Sequence, residues 1–122
     1  MGQMKKRVAL AAAVACLSVS TAMAAATTLT PDQIKTTFGT GAPIKSESPG
    51  GAGFTIVLNT DGTATRTPKG SKLPTKGKWR VSDTGYCSTW INNPEHCYTI
   101  SQDGAKYTVL DATGKPAATW TK

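Results

Sequence analysis

The sequence predicts an all-β fold, a small antiparallel meander of about seven strands closed into a barrel or curved sheet. Three observations support this prediction. Apolar and polar residues alternate along several short segments, turn sequences rich in Gly, Asp and Asn separate these segments, and two cysteines are spaced to link one hairpin. Closure is expected because an open meander leaves two unpaired edges, and a two-sheet sandwich is the alternative.

The strand pattern starts after residue 53 and continues to the C-terminus. Asp61-Gly62 supplies the first turn, and side chains of opposite character alternate through each segment. Trp79 is expected to face the core while its neighbours Lys78 and Arg80 face solvent. The predicted strands span 54–59, 63–67, 77–81, 86–91, 97–101, 106–110 and 117–121.

A short helix is predicted within 27–39. Thr30 is a typical N-cap, with Pro31 at the first helical position and Gln33 at the capping-box position. The helix should run from Pro31 to about Phe38, where Gly39 can end it.

Ile34 and Phe38 lie four residues apart on one face of this helix, and that face is expected to plug or flank the sheet. The following segment, 40–53, is rich in Gly, Pro and Ser and is predicted to be flexible and irregular. The β-meander domain is therefore assigned to 54–122.

The N-terminus has the three parts of a secretory signal peptide, a basic start, a short apolar stretch and a small-residue end. It is assigned to 1–24, with cleavage after Ala24 and Ala26 as the other candidate. The apolar stretch is too short to span a bilayer, and no second one follows. A periplasmic or secreted protein is expected; the alternative is a protein anchored by a lipid on Cys16.

The two cysteines that follow this signal, Cys87 and Cys97, are predicted to form a disulfide, since an even count is typical of small exported domains. If they pair across antiparallel strands, the turn must centre near Asn92. An Asn92-Asn93 turn is predicted, with Pro94 on an edge or in a bulge. A metal site is not expected, because the two cysteines and His96 lack a fourth ligand.

Positive charge is concentrated in one segment. The full chain has a net charge of +7, and removal of the signal leaves 11 basic and 7 acidic residues, a net charge of +4. Six basic residues lie between positions 66 and 80 with no acidic residue among them. Together with an aromatic side chain they form a candidate binding face: Arg66, Lys69, Lys72, Lys76, Lys78, Arg80 and Trp90.

This face suits an anionic envelope polymer or a glycan, through charge and stacking; the alternative is a solvated surface that keeps the protein soluble. Trp90 should face away from Cys87, three residues before it, and lie beside the basic residues. No specific nucleic-acid binding is expected. A second alternative is an inhibitor or partner-binding protein that inserts the loop at 68–76 or at 88–96 into a periplasmic protein. A monomer is favoured.

Catalysis is not expected. The one histidine lies in the predicted disulfide hairpin, no serine occupies a nucleophile elbow, and most acidic residues are at turns. A hydrolase is retained as a third alternative. No cofactor is expected, and Asn59 to Gly62 only faintly resembles part of a calcium loop.

The arrangement Gly77-Lys78-Trp79-Arg80-Val81, Tyr86-Cys87-Ser88-x-Trp90, Cys97-Tyr98-x-Ile100 and Asp103-Gly104-x-x-Tyr107 resembles a family of small exported proteobacterial proteins of unknown function. The resemblance covers nearly the whole chain after the signal. It implies an exported, disulfide-linked protein of this fold and names no ligand. The segment 41–53 departs from the family pattern.

Overall fold

The structure, a computed structural model, describes residues 26–122; the predicted signal peptide and Cys16 lie outside this range. None of the described residues forms a helix with the length and hydrophobicity needed to cross a membrane. Residues 26–122 contain one helix and nine strands: β1 Thr27–Thr28, α1 Pro31–Phe38, β2 Pro43–Glu47, β3 Gly53–Leu58, β4 Thr63–Pro68, β5 Thr75–Val81, β6 Tyr86–Trp90, β7 His96–Asp103, β8 Lys106–Leu110 and β9 Pro116–Thr121.

The strands β2 to β9 form a closed antiparallel barrel. Each strand pairs with the next along the chain, and β2 also pairs with β9, so that the eight strands complete a ring. The short strand β1 adds to β7 outside this ring. The predicted all-β meander is confirmed, and its single continuous sheet is a barrel rather than a two-sheet sandwich.

The seven predicted strands correspond to β3 to β9, but the prediction for 40–53 was wrong. This segment contains β2, in which Ile44 and Ser46 are buried and alternate with exposed residues. The strand was not predicted because one of its two inward side chains is a serine and its first residue is a proline. Pro43 is tolerated there because the first residue of a strand can lack the amide hydrogen bond. The barrel therefore begins at residue 43, not 54, and the irregular parts of this segment are the connection at 40–42 and the loop at 48–52.

The helix closes one end of the barrel. Its capping box forms as predicted: the Thr30 hydroxyl accepts a hydrogen bond from the Gln33 amide at 3.1 Å, and the Gln33 side chain accepts one from the Thr30 amide at 2.8 Å. Ile34 and Phe38 are fully buried, and the Phe38 ring packs edge-on against Trp120. The predicted apolar face thus plugs the interior.

We call the end covered by α1 the closed end. The loops 48–52, 69–74, 91–95 and 111–115 lie at the opposite end, which we call the open end, because strand direction alternates around the ring.

The predicted disulfide is present. Cys87 and Cys97 face each other in the β6–β7 register with their Cα atoms 3.9 Å apart. Asn92 adopts a left-handed conformation with a φ of 63°, and the Asn93 amide donates to the Trp90 carbonyl at 3.0 Å. The turn is centred as predicted, although the connection is a loop at 91–95 that includes Pro94 rather than a two-residue turn.

Candidate functional site

The barrel interior contains a cavity of about 140 Å³, whose lining extends from Ser48 beside the open end to Leu58 and Tyr86. Aromatic side chains form much of its wall, including Phe54, Trp90, Tyr98 and Trp120. The volume resembles that of an engineered protein cavity of about 150 Å³ that accepts benzene. The space is therefore sufficient for one six-membered ring.

Arg66 is the cation of this cavity. It lies on β4 two residues after the buried Ala64, so the alternation of the strand turns it inward. The centre of its guanidinium lies 4.6 Å from the ring centroid of Trp90 and 5.6 Å from that of Phe54. Both distances are within the range of cation–π interactions. Within residues 26–122 the guanidinium has no ion pair and no hydrogen bond.

A glycine makes room for the stacked tryptophan. Gly77 of β5 lies directly opposite Trp90 of β6. A Cβ atom on Gly77 would lie 2.5 Å from the Trp90 ring and would also contact the Thr89 carbonyl oxygen. The indole can therefore lie against the β5 backbone and be in contact with Arg66 only because position 77 has no side chain.

Two residues with hydroxyl groups, Tyr86 and Ser88, line the same cavity on the side away from the open end. Tyr86 and Ser88 are each 5% exposed, and neither side chain has a hydrogen-bond partner among the described residues. Ser46 also lines the cavity, but its hydroxyl accepts a hydrogen bond from the Trp120 indole at 3.1 Å. Burial without a partner makes Tyr86 and Ser88 the polar groups that a ligand can satisfy.

Burial favours the protonated form of two tyrosine side chains at this cavity, Tyr86 and Tyr98. It raises the pKa of Tyr86 well above its usual value of 10.0, and the neighbouring Tyr98 contributes to the same shift. Burial also raises the pKa of Tyr98, an effect that the positive charge of Arg66 opposes. At neutral pH, both side chains thus offer hydroxyl donors beside one permanent cation.

The structure divides the predicted binding face into separate groups. Arg66 and Trp90 meet inside the barrel, whereas Lys76, Lys78 and Arg80 alternate with inward residues of β5 and lie exposed on its outer surface. The two remaining lysines are exposed on the loop at 69–74: Lys69 and Lys72.

Arg80 has a partner of its own. Its guanidinium donates two hydrogen bonds to Glu95, at 3.0 and 2.9 Å, and this contact lowers the pKa of the Glu95 carboxyl. A carboxylate oxygen of Glu95 lies within 4.8 Å of the sulfurs of Cys87 and Cys97, so the ion pair lies beside the disulfide, of which Cys97 is exposed. Both sulfurs are bonded to each other, which leaves this cluster one ligand for a metal rather than three.

The predicted orientation of Trp90, away from Cys87, holds in the structure, since Trp90 lines the interior cavity. Its stacking partner is Arg66 and not Lys78 or Arg80. The predicted turn role of Asp61 also holds, because its carboxylate accepts hydrogen bonds from the amide and hydroxyl of Thr63.

The inward positions of Arg66 and Ser88 were not predicted. One signal was in the sequence: the threonines at 63, 65 and 67 suit an exposed face, which leaves position 66 on the buried one.

Comparisons of the chain with models of protein families, with curated proteins and with solved structures find no match. The functional argument therefore rests on the geometry of the barrel interior.

Proposed function

We propose that this protein is an exported binding protein of the bacterial envelope that holds the anionic group of a small molecule or glycan at the open end of its barrel. The observation that carries the proposal is the guanidinium of Arg66, stacked on Trp90 at a cavity and without a carboxylate partner in the described residues.

The electrostatics of this position favour an anion. A guanidinium that is partly withdrawn from water loses hydration, and an incoming carboxylate or phosphate replaces it with charge-assisted hydrogen bonds. The planar fork of arginine suits two parallel hydrogen bonds to such a group. Because Trp90 and Phe54 flank the guanidinium, its orientation is set before the ligand arrives.

Two further observations support the compartment. The Cys87–Cys97 disulfide is typical of proteins that fold in an oxidising space, and the N-terminal sequence has the pattern of an export signal. The resemblance to small exported proteobacterial proteins agrees with this assignment.

The binding test replaces one charge inside the cavity and one outside it. Calorimetric titrations of residues 25–122, the chain that remains after cleavage behind Ala24, would use benzoate, glucuronate and inorganic phosphate as probes at low ionic strength. Arg66→Gln is expected to weaken binding of the preferred anion at least about tenfold, the loss expected for charged hydrogen bonds. Lys72→Gln, which removes an exposed charge from the loop at 69–74, is expected to change the affinity by less than about twofold.

Other outcomes would contradict the proposal. Equal weakening by the two variants would place binding on the general surface charge, including Lys76 and Lys78 on the outer face of β5. Absence of binding by all three probes would remove the small-anion function.

A second candidate is a partner-binding protein that acts through loops. Leu73 is 79% exposed and Ile91 is 65% exposed, and both lie in loops at the open end. These are the loops that the sequence suggested for insertion into a partner. Capture of one stoichiometric envelope protein, lost when Leu73 and Ile91 are replaced by Ser but retained in Arg66→Gln, would favour this function over the first.

A further inference from the structure

The cavity also restricts the size of the ligand. Its volume of about 140 Å³ leaves room for a body of one ring and excludes a polymer segment or a long acyl chain from the interior. The charged group of the ligand stays near Arg66, whose guanidinium forms part of the wall. The remainder of the ligand must enter the barrel.

The walls favour a flat ring. Tyr86 stacks with Tyr98 at a centroid distance of 5.3 Å, and its ring lies 5.4 Å from that of Trp120. These three residues line the cavity together with Phe54 and Trp90. Offset and edge-on contacts with such walls stabilise an aromatic ring beyond simple burial.

The cavity also favours a ligand with a second polar group, separate from its anionic group. Trp90, which is in contact with Arg66, is on the same strand as Ser88 and Tyr86, two and four residues away. Inward side chains two residues apart in a strand are separated by about 7 Å. Along β6 the backbone positions of Ser88 and Tyr86 therefore lie about 7 Å and about 14 Å from that of Trp90, on the side toward the closed end. A ligand held at Arg66 reaches these residues only if its second polar group lies on the side opposite its anionic group.

The free energy lost when the hydroxyls of Tyr86 and Ser88 stay unpaired indicates what the second polar group of the ligand must be. A buried hydroxyl without a hydrogen-bond partner destabilises the state that contains it by about 1–3 kcal/mol. An apolar ring packed against the hydroxyl would leave it without a partner in the complex. A ligand hydroxyl both donates and accepts, so it can satisfy Ser88 and Tyr86 together.

We infer that the ligand is a small aromatic acid with a hydroxyl group opposite its carboxylate, with the carboxylate at Arg66 and the hydroxyl at Tyr86 and Ser88. This inference rests on the proposed anion site and specifies its ligand class.

The first test uses the unaltered protein and three acids, 4-hydroxybenzoate, benzoate and hexanoate. 4-Hydroxybenzoate is expected to bind about tenfold more tightly than benzoate, because it satisfies the buried hydroxyls. Hexanoate carries the same charge without a ring and is expected to bind more weakly than benzoate. Equal affinity for benzoate and 4-hydroxybenzoate would overturn the hydroxyl subsite, and equal affinity for hexanoate and benzoate would overturn the ring.

The second test uses the variants Tyr86→Phe, Ser88→Ala and their combination. Each removes a hydroxyl and keeps the shape of the wall, and thermal unfolding would verify that the barrel is retained. The combination is expected to bind 4-hydroxybenzoate and benzoate with affinities within about twofold of each other, while benzoate binding itself stays near that of the unaltered protein. Preference for 4-hydroxybenzoate that survives in the combined variant would overturn the assignment of Tyr86 and Ser88.

The two levels of the proposal fail differently. Loss of benzoate binding in Arg66→Gln together with no benefit from the hydroxyl group would retain the anion site and reject the ligand class. Binding of glucuronate or phosphate without binding of any of the three acids would likewise retain the anion site and reject the ligand class, whereas binding of no probe at all would reject both.

Discussion

Gly77 shows how one missing side chain arranges the candidate site. The residue is in the middle of a strand, where alanine is normally the more stable choice, yet a Cβ atom there would overlap the Trp90 ring. We expect Gly77→Ala to lower the free energy of unfolding by about 1–3 kcal/mol, as overpacked interiors do. The same change should displace Trp90 from Arg66 and alter its fluorescence.

Gly50 provides the control for this substitution. It lies in the loop at 48–52, and a Cβ atom there would have no neighbour within 4 Å. Gly50→Ala should therefore leave both the stability and the fluorescence unchanged. Similar effects of Gly50→Ala and Gly77→Ala would show that the close approach of Trp90 to β5 is not what restricts position 77.

The residues of the site were only partly predictable from the sequence. Arg66 and Trp90 were both selected, because the basic segment is visible in the sequence and the spacing of Trp90 from Cys87 turns it away from the disulfide. Their contact was not predicted, since it depends on the register of three strands and on the inward turn of Arg66. Nothing in the local pattern distinguished Ser88, whose burial depends on the closure of the barrel.

In the β6–β7 hairpin a single covalent bond, the Cys87–Cys97 disulfide, is expected to contribute a large part of the stability. Its disulfide closes a short loop, with a sequence separation of 10 residues between the cysteines. We expect Cys87→Ala with Cys97→Ala to lower the free energy of unfolding by about 2.5–3 kcal/mol, the value for a loop of this length in the chain-entropy model. Urea denaturation would measure this loss.

A reducing agent provides the matched control. It should lower the midpoint of urea denaturation of the unaltered protein and leave that of the double variant unchanged. A double variant as stable as the unaltered protein would show that the hairpin is held by its neighbours and not by the bond.

Element prediction succeeded where large apolar side chains alternate with polar ones and failed for β2, where one of the two inward side chains is a serine. The helix was recognised from its capping box, and seven strands were recognised from their period. Strand β2 carries only Ile44 as a large inward residue and lies between Gly-rich stretches. Pairing with β3 and β9 on both sides supplies the stability that its composition lacks.

The pH dependence of the whole molecule follows from carboxylates at its turns. Hydrogen bonds from Thr63 lower the pKa of Asp61, and hydrogen bonds from Thr113 and Lys115 lower the pKa of Asp111, both from a usual value of 3.8. A lowered pKa in the folded state means that the unfolded state binds more protons in acid. The stabilisation is therefore complete well above pH 3.8 and is lost as the pH falls through the lowered values.

We expect the unfolding temperature to fall between pH 6 and pH 3, and this fall should be smaller in Asp111→Ala. The variant should be less stable than the unaltered protein at pH 6 and should approach it at pH 3. Asp103→Ala is the control, since the Asp103 side chain accepts no hydrogen bond within residues 26–122. A pH dependence of Asp111→Ala as steep as that of Asp103→Ala would contradict the role of the turn.

The pairing of β2 with β9 determines when the molecule becomes a barrel. Lys45 lies opposite Thr121, and the contact between Trp120 and Ser46 spans 74 positions of the chain. The other strand pairs of the ring join consecutive strands, so each can form as soon as its own hairpin is complete. Because long loops cost more entropy to close, this seam is the slowest contact to nucleate. A growing chain thus remains an open ribbon with two free edges until its last six-residue strand is available.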